Sequence, residues 1–432
     1  MTTMFGLYYP PCCRGDHGRS RPREDEEGAG DLRVPGKPGI AIVGAGPAGL
    51  VIAHLLVREG IPFVVFERQA LADLCRRPKA GVIEYRTVRL LERVGIAGPI
   101  VQFTTENHRC EFRTSEESVV LDYGALTGGR PHYIYPQDQL VQRLCETLTE
   151  AGGEVRFGHA VRAVRQDSGG VVLLVEGPGG ERSEVECEVT VGCEGSNSPV
   201  AAAMSHARVS EQSLPVRWLA IIGSAPPLEN HTIYAAHPRG FAGQMRRGPS
   251  QTRYYIEIPA ADTVADWPEQ RVRGELAVRL GAGGRLDGVP LGEMGILDLR
   301  VRVIEPMQQG RLLLAGDAAH LITPAGAKGM NLAIQDAVEL AHGLIDRFGP
   351  KHDDRRLSAY SRTRLPPIWR TEAFSNWFLH VILTSLRDGT EPAAAVPGGF
   401  GHGLSQGWVA ALQNDPLFVR WFAHAYAGVD AD

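Results

Sequence analysis

Residues 39–68 read GIAIVGAGPAGLVIAHLLVREGIPFVVFER, and few stretches of this length restrict a fold more. A β-branched run, Ile40 to Val43, meets Gly44-Ala45-Gly46-Pro47-Ala48-Gly49. Leu50, Ala53, His54, Leu56 and Val57 then recur at helical spacing, and Phe63 to Phe66 read as a second buried strand. Strand, glycine turn, helix and strand form the βαβ context in which GxGxxG binds a dinucleotide. Gly44 makes the tight turn and Gly46 lets the backbone approach a pyrophosphate. Gly49 lets the helix pack on the strand, with its N-terminus facing the phosphates. Glu67 lies 23 residues after Gly44, at a strand end where a carboxylate accepts hydrogen bonds from ribose hydroxyls. The motif alone leaves FAD and NAD both open.

A second stretch narrows the ligand. Residues 311–335 read RLLLAGDAAHLITPAGAKGMNLAIQ, with RLLLAGD a buried strand ending on Asp317. Leu332, Ala337, Leu340, Ala341, Leu344 and Ile345 keep helical spacing, so a helix is expected from about Gly329. A strand-end carboxylate can bind a sugar-alcohol hydroxyl, and a helix N-terminus can stabilise developing negative charge. A flavin offers both partners, through its ribityl chain and its N1–C2=O edge. NAD has no such pair.

The bulk properties exclude several classes. A length of 432 residues allows two domains or one large α/β domain with a second sheet layer. Net charge is −5 with no basic stripe, which argues against nucleic acid. The seven cysteines lack CxxC or Cys/His metal spacing, so no metal is expected and reduced thiols suggest a cytoplasmic protein. No apolar run reaches the ~18 residues of a membrane span, and the N-terminus has no signal-peptide apolar region. Residues 14–38 are charged and rich in Gly and Pro, so 1–38 reads as a disordered extension, either a functional tail or a gene-start artefact.

The early GxGxxG paired with the late GDAAHLITPAGAKGMN resembles the FAD-dependent aromatic hydroxylases, the class A flavoprotein monooxygenases. Arg68-Gln69 after Glu67, IYAAHPRGF at 233–241, RYYIEIP at 253–259 and EPMQQGRLLLAGDAAH at 305–320 are similar, more narrowly, to 4-hydroxybenzoate 3-monooxygenases. The likeness runs from about residue 38 to the C-terminus. It implies an α/β (α+β) fold with a Rossmann-type FAD domain at 39–110, 133–205 and 300–350. A substrate domain on a mostly antiparallel sheet would occupy 111–132 and 206–299, with a helical part at 351–432. The implied reaction uses NADPH or NADH and O2, through a flavin C4a-hydroperoxide, to hydroxylate a small aromatic acid ortho to its phenol. A homodimer is compatible with it.

The resemblance also assigns residues. Tyr234 matches a tyrosine that meets the substrate hydroxyl, and Tyr426 one that relays its proton. A tyrosine titrates near ~10, so a hydrogen-bonded pair would transmit the proton rather than act as a free base. Arg247 matches a carboxylate-binding arginine and Tyr255 a tyrosine reaching the same group, whereas Arg246 reads as a surface arginine. Pro324 matches a proline whose carbonyl faces the substrate hydroxyl. Arg253, Lys328 and Asn331 match flavin-facing positions, as do Arg68, Lys79 and Gln137, with Lys79 replacing an arginine. His320 reads as structural, because no partner acid is evident.

Four departures qualify the likeness. Met245 stands where a serine would bind the carboxylate, a loss of roughly 1.5–3 kcal/mol for one charge-assisted hydrogen bond. Ala325 replaces a threonine beside the ring, which makes room for a 3-substituted substrate such as 3-amino-4-hydroxybenzoate or 3,4-dihydroxybenzoate. In CEGSNSPVA at 193–201, Glu194 keeps a carboxylate, but Asn197 and Ala201 lack the groups that grip the nicotinamide nucleotide, and Asp73 would repel a 2′-phosphate. NADH and NADPH both stay open. The relay's terminal histidine falls on Asn107, with His108 next to it. A same-fold reductase or epoxidase, or a non-catalytic flavin-binding protein, would not need Tyr234, Tyr426 and Arg247 together.

Overall fold

The glycine turn folds as its spacing requires. In the computed structural model, which describes residues 39–76, 81–96, 98, 104–383 and 400–428, strand Ile40–Val43 is fully buried and helix Pro47–Arg58 follows. Pro47, at the first helical position, needs no hydrogen-bond partner for its nitrogen. Gly44 has φ +101°, and a Cβ there would lie 2.6 Å from the Cys193 carbonyl oxygen. At Gly49 a Cβ would lie 2.0 Å from the Gly44 oxygen. Only glycine allows the helix to sit this close to its strand.

Around this turn runs a six-stranded sheet, in the order Gln308–Gln309, Leu312–Leu314, Val189–Gly192, Ile40–Val43, Phe63–Glu67 and Val155–Phe157. All neighbours are parallel except the first pair. Helix Gly329–Phe348 begins at the expected residue and packs on helix Pro47–Arg58. Strand Leu312–Leu314 stops short of Asp317, which sits in a 3-10 turn, Gly316–Ala318.

The second large sheet has eight strands: His320–Leu321, Leu291–Glu305, Arg208–Gly223, Thr252–Pro259, Gly240–Arg246, Thr232–His237, Arg109–Arg113 and Ser118–Asp122. Its pairings are antiparallel except that between Thr232–His237 and Arg109–Arg113. Strand Leu291–Glu305 runs through residue 300, so the two expected regions share a strand there. Both large sheets belong to one compact unit.

One register row crosses six strands of this sheet: Gly295, Ala220, Tyr255, Gly243, Tyr234 and Phe112. Because side chains alternate faces along a strand, Met245 and its partner Arg253 share this face, whereas Thr252 takes the other. Helices Arg355–Ile382, Phe400–Asn414 and Pro416–Ala427 cover the row, as expected of a helical C-terminal part. Phe112 meets Trp408 at 4.5 Å and Phe422 at 5.5 Å between ring centres, and Tyr234 meets Phe378 at 5.1 Å.

Two alanine substitutions separate the jobs of the turn's glycines. Gly49→Ala should cost on the order of 3 kcal/mol by forcing helix from strand, which thermal unfolding would register. Gly46→Ala should leave the unfolding midpoint of the flavin-free chain unchanged, since its Cβ would meet nothing nearer than the Cys193 oxygen at 3.9 Å. It should still lower the flavin-to-protein absorbance ratio. Equal losses of stability in both variants would refute this division.

Candidate active site

The C-terminal ends of the parallel strands open on a cavity of about 530 Å³. Glu67 lines it with both oxygens anchored: Ala45 N–H donates to Oε2 and Gln69 N–H to Oε1, each at 2.9 Å. Gly46 and Gly329 line it at the N-termini of two helices, and neither has a neighbour that would fill the space of a Cβ on the cavity side. Asp317, Arg68 and Gln137 complete this end. Two helix N-termini for phosphate and for an anionic ring edge, with two carboxylates for sugar hydroxyls, fit FAD. Gly44 and Gly49 shape the turn behind the wall, and Lys79 lies outside the described residues. Glu194 also lines the cavity; burial pushes its carboxyl up to about 7. Asn197 is exposed, and Asp73 is exposed beside Arg76 at 3.8 Å.

The other end of the cavity is built on the register row. Tyr255, Met245, Arg253, Arg247 and Pro324 line it, and so does Arg246, which reads in the sequence as a surface arginine. The Pro324 carbonyl accepts the Ala327 N–H at 3.1 Å, so a turn already uses part of its capacity. Arg247 follows the strand end, nearly fully buried; its Nη2 donates to Asp138 Oδ1 at 2.8 Å and its Nε to Gln251 Oε1 at 3.4 Å. Burial lowers its pKa, and Asp138 opposes that shift. Behind the wall the hydroxyls of Tyr234 and Tyr426 meet at 3.1 Å, joining positions 192 residues apart. Both rings are buried, and burial drives both phenols above their ordinary range. Ala325 is fully buried in the same cluster, its carbonyl accepting from Ser375 Oγ at 3.1 Å, and does not line the cavity.

Comparison with known proteins agrees with this geometry. The FAD binding domain family matches residues 38–375. Over 350 residues the chain is 32% identical to p-hydroxybenzoate hydroxylase of Acinetobacter baylyi, covering 80% of this chain and 86% of that one. The chain belongs to the FAD-dependent aromatic hydroxylases. It is also 30% identical to 12-dehydrotetracycline 5-monooxygenase/anhydrotetracycline 6-monooxygenase of Streptomyces rimosus, covering 76% of this chain and 66% of that protein. The fold is shared with p-nitrophenol 4-monooxygenase from Pseudomonas putida, at TM-score 0.79 and 19% identity over 92% of this chain and 99% of that structure. FAD is the cofactor of this hydroxylase, with reduced nicotinamide nucleotide and O2 as co-substrates.

Two buried groups of the hydroxylase, Lys328 and His132, touch Tyr426 of the tyrosine pair, and the sequence singled out only the first. Lys328 is 1% exposed; its Nζ donates to Glu84 Oε1 and to the Tyr426 carbonyl, each at 2.6 Å. Asn331 is spent on the backbone, accepting from Glu84 N–H at 2.8 Å and donating to the Val82 and Ala327 carbonyls. Asn107, where the relay's histidine was expected, is buried beside Thr232, and His108 turns to Glu106 at the surface. The histidine beside the pair is His132, cross-strand partner of Asn107, with Nε2 3.0 Å from the Tyr426 carbonyl and its ring 5.0 Å from that of Tyr426. Burial and then Lys328 lower its pKa to about 3, so it is neutral. Only strand register reveals it.

His320 does have a partner acid, contrary to the sequence reading. Its Nε2 bonds Asp336, which also accepts from Arg364 Nε at 2.7 Å and from Gly316 N–H at 3.2 Å. The cluster pins the 3-10 turn of Asp317 to helix Gly329–Phe348, a structural task. Near it Glu372 is buried with neither carboxylate oxygen hydrogen-bonded, and burial raises its pKa from 4.5 to about 7. No group of acidic, histidine or cysteine side chains among the described residues could hold a metal, none of the described cysteines is in a disulfide, and no described helix is long and apolar enough to cross a membrane.

A carboxyl with a raised folded pKa stabilises the fold while protonated. Its contribution is full below about 4.5 and is lost as pH climbs to about 7. Glu372→Gln should remove a pH-dependent loss on the order of 3 kcal/mol across that window. Parallel stability–pH curves for variant and parent would show the carboxyl is not held neutral.

Proposed function

We propose that this chain hydroxylates a 4-hydroxybenzoate-type aromatic acid ortho to its phenol. The observation that carries the reading is the Tyr234–Tyr426 hydroxyl contact at 3.1 Å. Oxygen transfer to a ring carbon needs an electron-rich ring, and phenolate is far richer than phenol. Reduced FAD with O2 supplies the electrophilic oxygen. Tyr234 takes the substrate's phenolic proton as it passes its own to Tyr426, and Tyr426 releases its own proton onward towards solvent, so neither tyrosine need carry charge in an interior that disfavours it. Pro324 orients the phenol through its carbonyl, and the ring acid's carboxylate lies at the end lined by Arg247, Arg253 and Tyr255. Met245 and the packed aromatic cluster keep water from the ring.

The balanced reaction consumes one NAD(P)H, one O2 and one proton, and yields hydroxylated acid, NAD(P)+ and water. A screen tests it: purified yellow enzyme, NADH or NADPH, and a panel of 4-hydroxy- and 4-aminobenzoates, followed by coenzyme loss and product mass. At least one 4-hydroxybenzoate should gain one oxygen atom; if none does, the reading is wrong. In Tyr234→Phe, ligand-stimulated coenzyme oxidation should persist while hydroxylation drops on the order of 100-fold and hydrogen peroxide replaces the product. An unchanged product yield would remove Tyr234 from the proton path.

A further inference from the structure

The arginine at the carboxylate end already has a carboxylate. Arg247, with a side chain 3% exposed, holds Asp138 at 2.8 Å, and Asp138 sits in the first turn of helix Gln137–Glu150. Its neighbour Gln137 faces the cavity. The charged group facing Arg247 from the adjacent strand is Arg253, and Tyr255 is the other titratable neighbour. A guanidinium and a carboxylate cancel, so Asp138 takes away one unit of the positive charge that Arg246, Arg247 and Arg253 would together bring to this end. A ligand carboxylate arriving at Arg247 must share that fork with Asp138 and bear the repulsion of a second anion.

We propose that Asp138 is a specificity-determining positioning residue, an internal carboxylate that lowers the cavity's preference for ring acids. It acts through Arg247. Its presence lets 4-hydroxyaryl compounds with an uncharged polar group at this position, such as an amide, compete with the acid. The inference rests on the aromatic-acid reading above and extends its substrate class to neutral analogues.

The test compares binding by the FAD-loaded enzyme with that of Asp138→Asn, which keeps the side chain's shape and removes its charge. Titration with 4-hydroxybenzoate and with 4-hydroxybenzamide is followed by the change in the bound flavin's visible absorbance. In Asp138→Asn the Kd of the acid should fall on the order of 10-fold, because one charge-assisted contact is released to the ligand. The Kd of the amide should stay within about twofold. Asp138→Glu should restore the parent's acid-to-amide ratio. A merely structural role would move both ligands together, so an unchanged ratio, or weaker acid binding alone, overturns the proposal. The ratio needs no turnover. A ratio that shifts in an enzyme oxidising neither ligand keeps Asp138 and sinks the hydroxylation reading, and a fixed ratio in an enzyme that hydroxylates the acid does the reverse. Absence of binding in both forms overturns both.

Discussion

Lys328 is the contact on which the rest of the site hangs. Its ammonium is buried and bound to Glu84 and to the carbonyl of Tyr426. It joins three distant pieces of chain: the loop before helix Gly329–Phe348, strand Val82–Glu84 and the end of the last helix. Gly428, at φ +68°, closes that helix so near Glu84 that a Cβ would lie 2.2 Å from its carboxylate. Losing one partner of such a buried pair costs about 3–5 kcal/mol, because the other is left charged and unpaired. Here it would also release the backbone that sets the Tyr426 hydroxyl against Tyr234.

Sheet register supplies what Lys328 holds in place. Gly295, Ala220 and Tyr255 are consecutive members of one cross-strand row and Met245 pairs with Arg253 beside it, so the residues facing the cavity come from four strands spread over residues 208–305. Gly243 has a reason to lack a side chain: a Cβ there would come within 2.8 Å of the Phe241 ring. That ring stacks on Trp218 at 4.7 Å and backs the row. A one-residue slip would turn Tyr255 and Arg253 away from the cavity and put Tyr254 and Thr252 in their place, so register decides which side chains of this strand can meet a ligand.

What was legible in the sequence follows the range of each interaction. The strands, turn and helix of residues 40–67 and the helix start at Gly329 depend on periodicity and glycine geometry within a few residues, and all appear as read. Motif likeness brought Tyr234, Tyr426, Tyr255 and Arg247 into view, and the fold gathers them at one end of a cavity or just behind it. Partners set by register or by helix packing were invisible. Nothing local in PHYIYPQDQ says that His132 will touch Tyr426 or that Asp138 will meet Arg247, and nothing in GDAAH says that Asp336 will take His320. Ala325 reads as space beside a ring, yet tertiary packing buries it among aromatic side chains.

Those hidden partners share one electrostatic pattern. Lys328 is paired with Glu84, which also takes Arg86, Arg247 is paired with Asp138, and Arg364 with Asp336, which also bonds His320, each pair largely withdrawn from solvent. The chain thus supplies carboxylates of its own to Lys328 and Arg247, two of the cations that line the cavity. The hydroxyls of Tyr234 and Tyr426 meet beside a Lys328 that is already paired and a neutral His132. Burial keeps both tyrosines protonated, and no adjacent free cation among the described residues pulls either toward phenolate. On the proposed reading, the group with most reason to ionise in that setting is the ligand's own phenol, which is what an electron-demanding oxygen transfer requires.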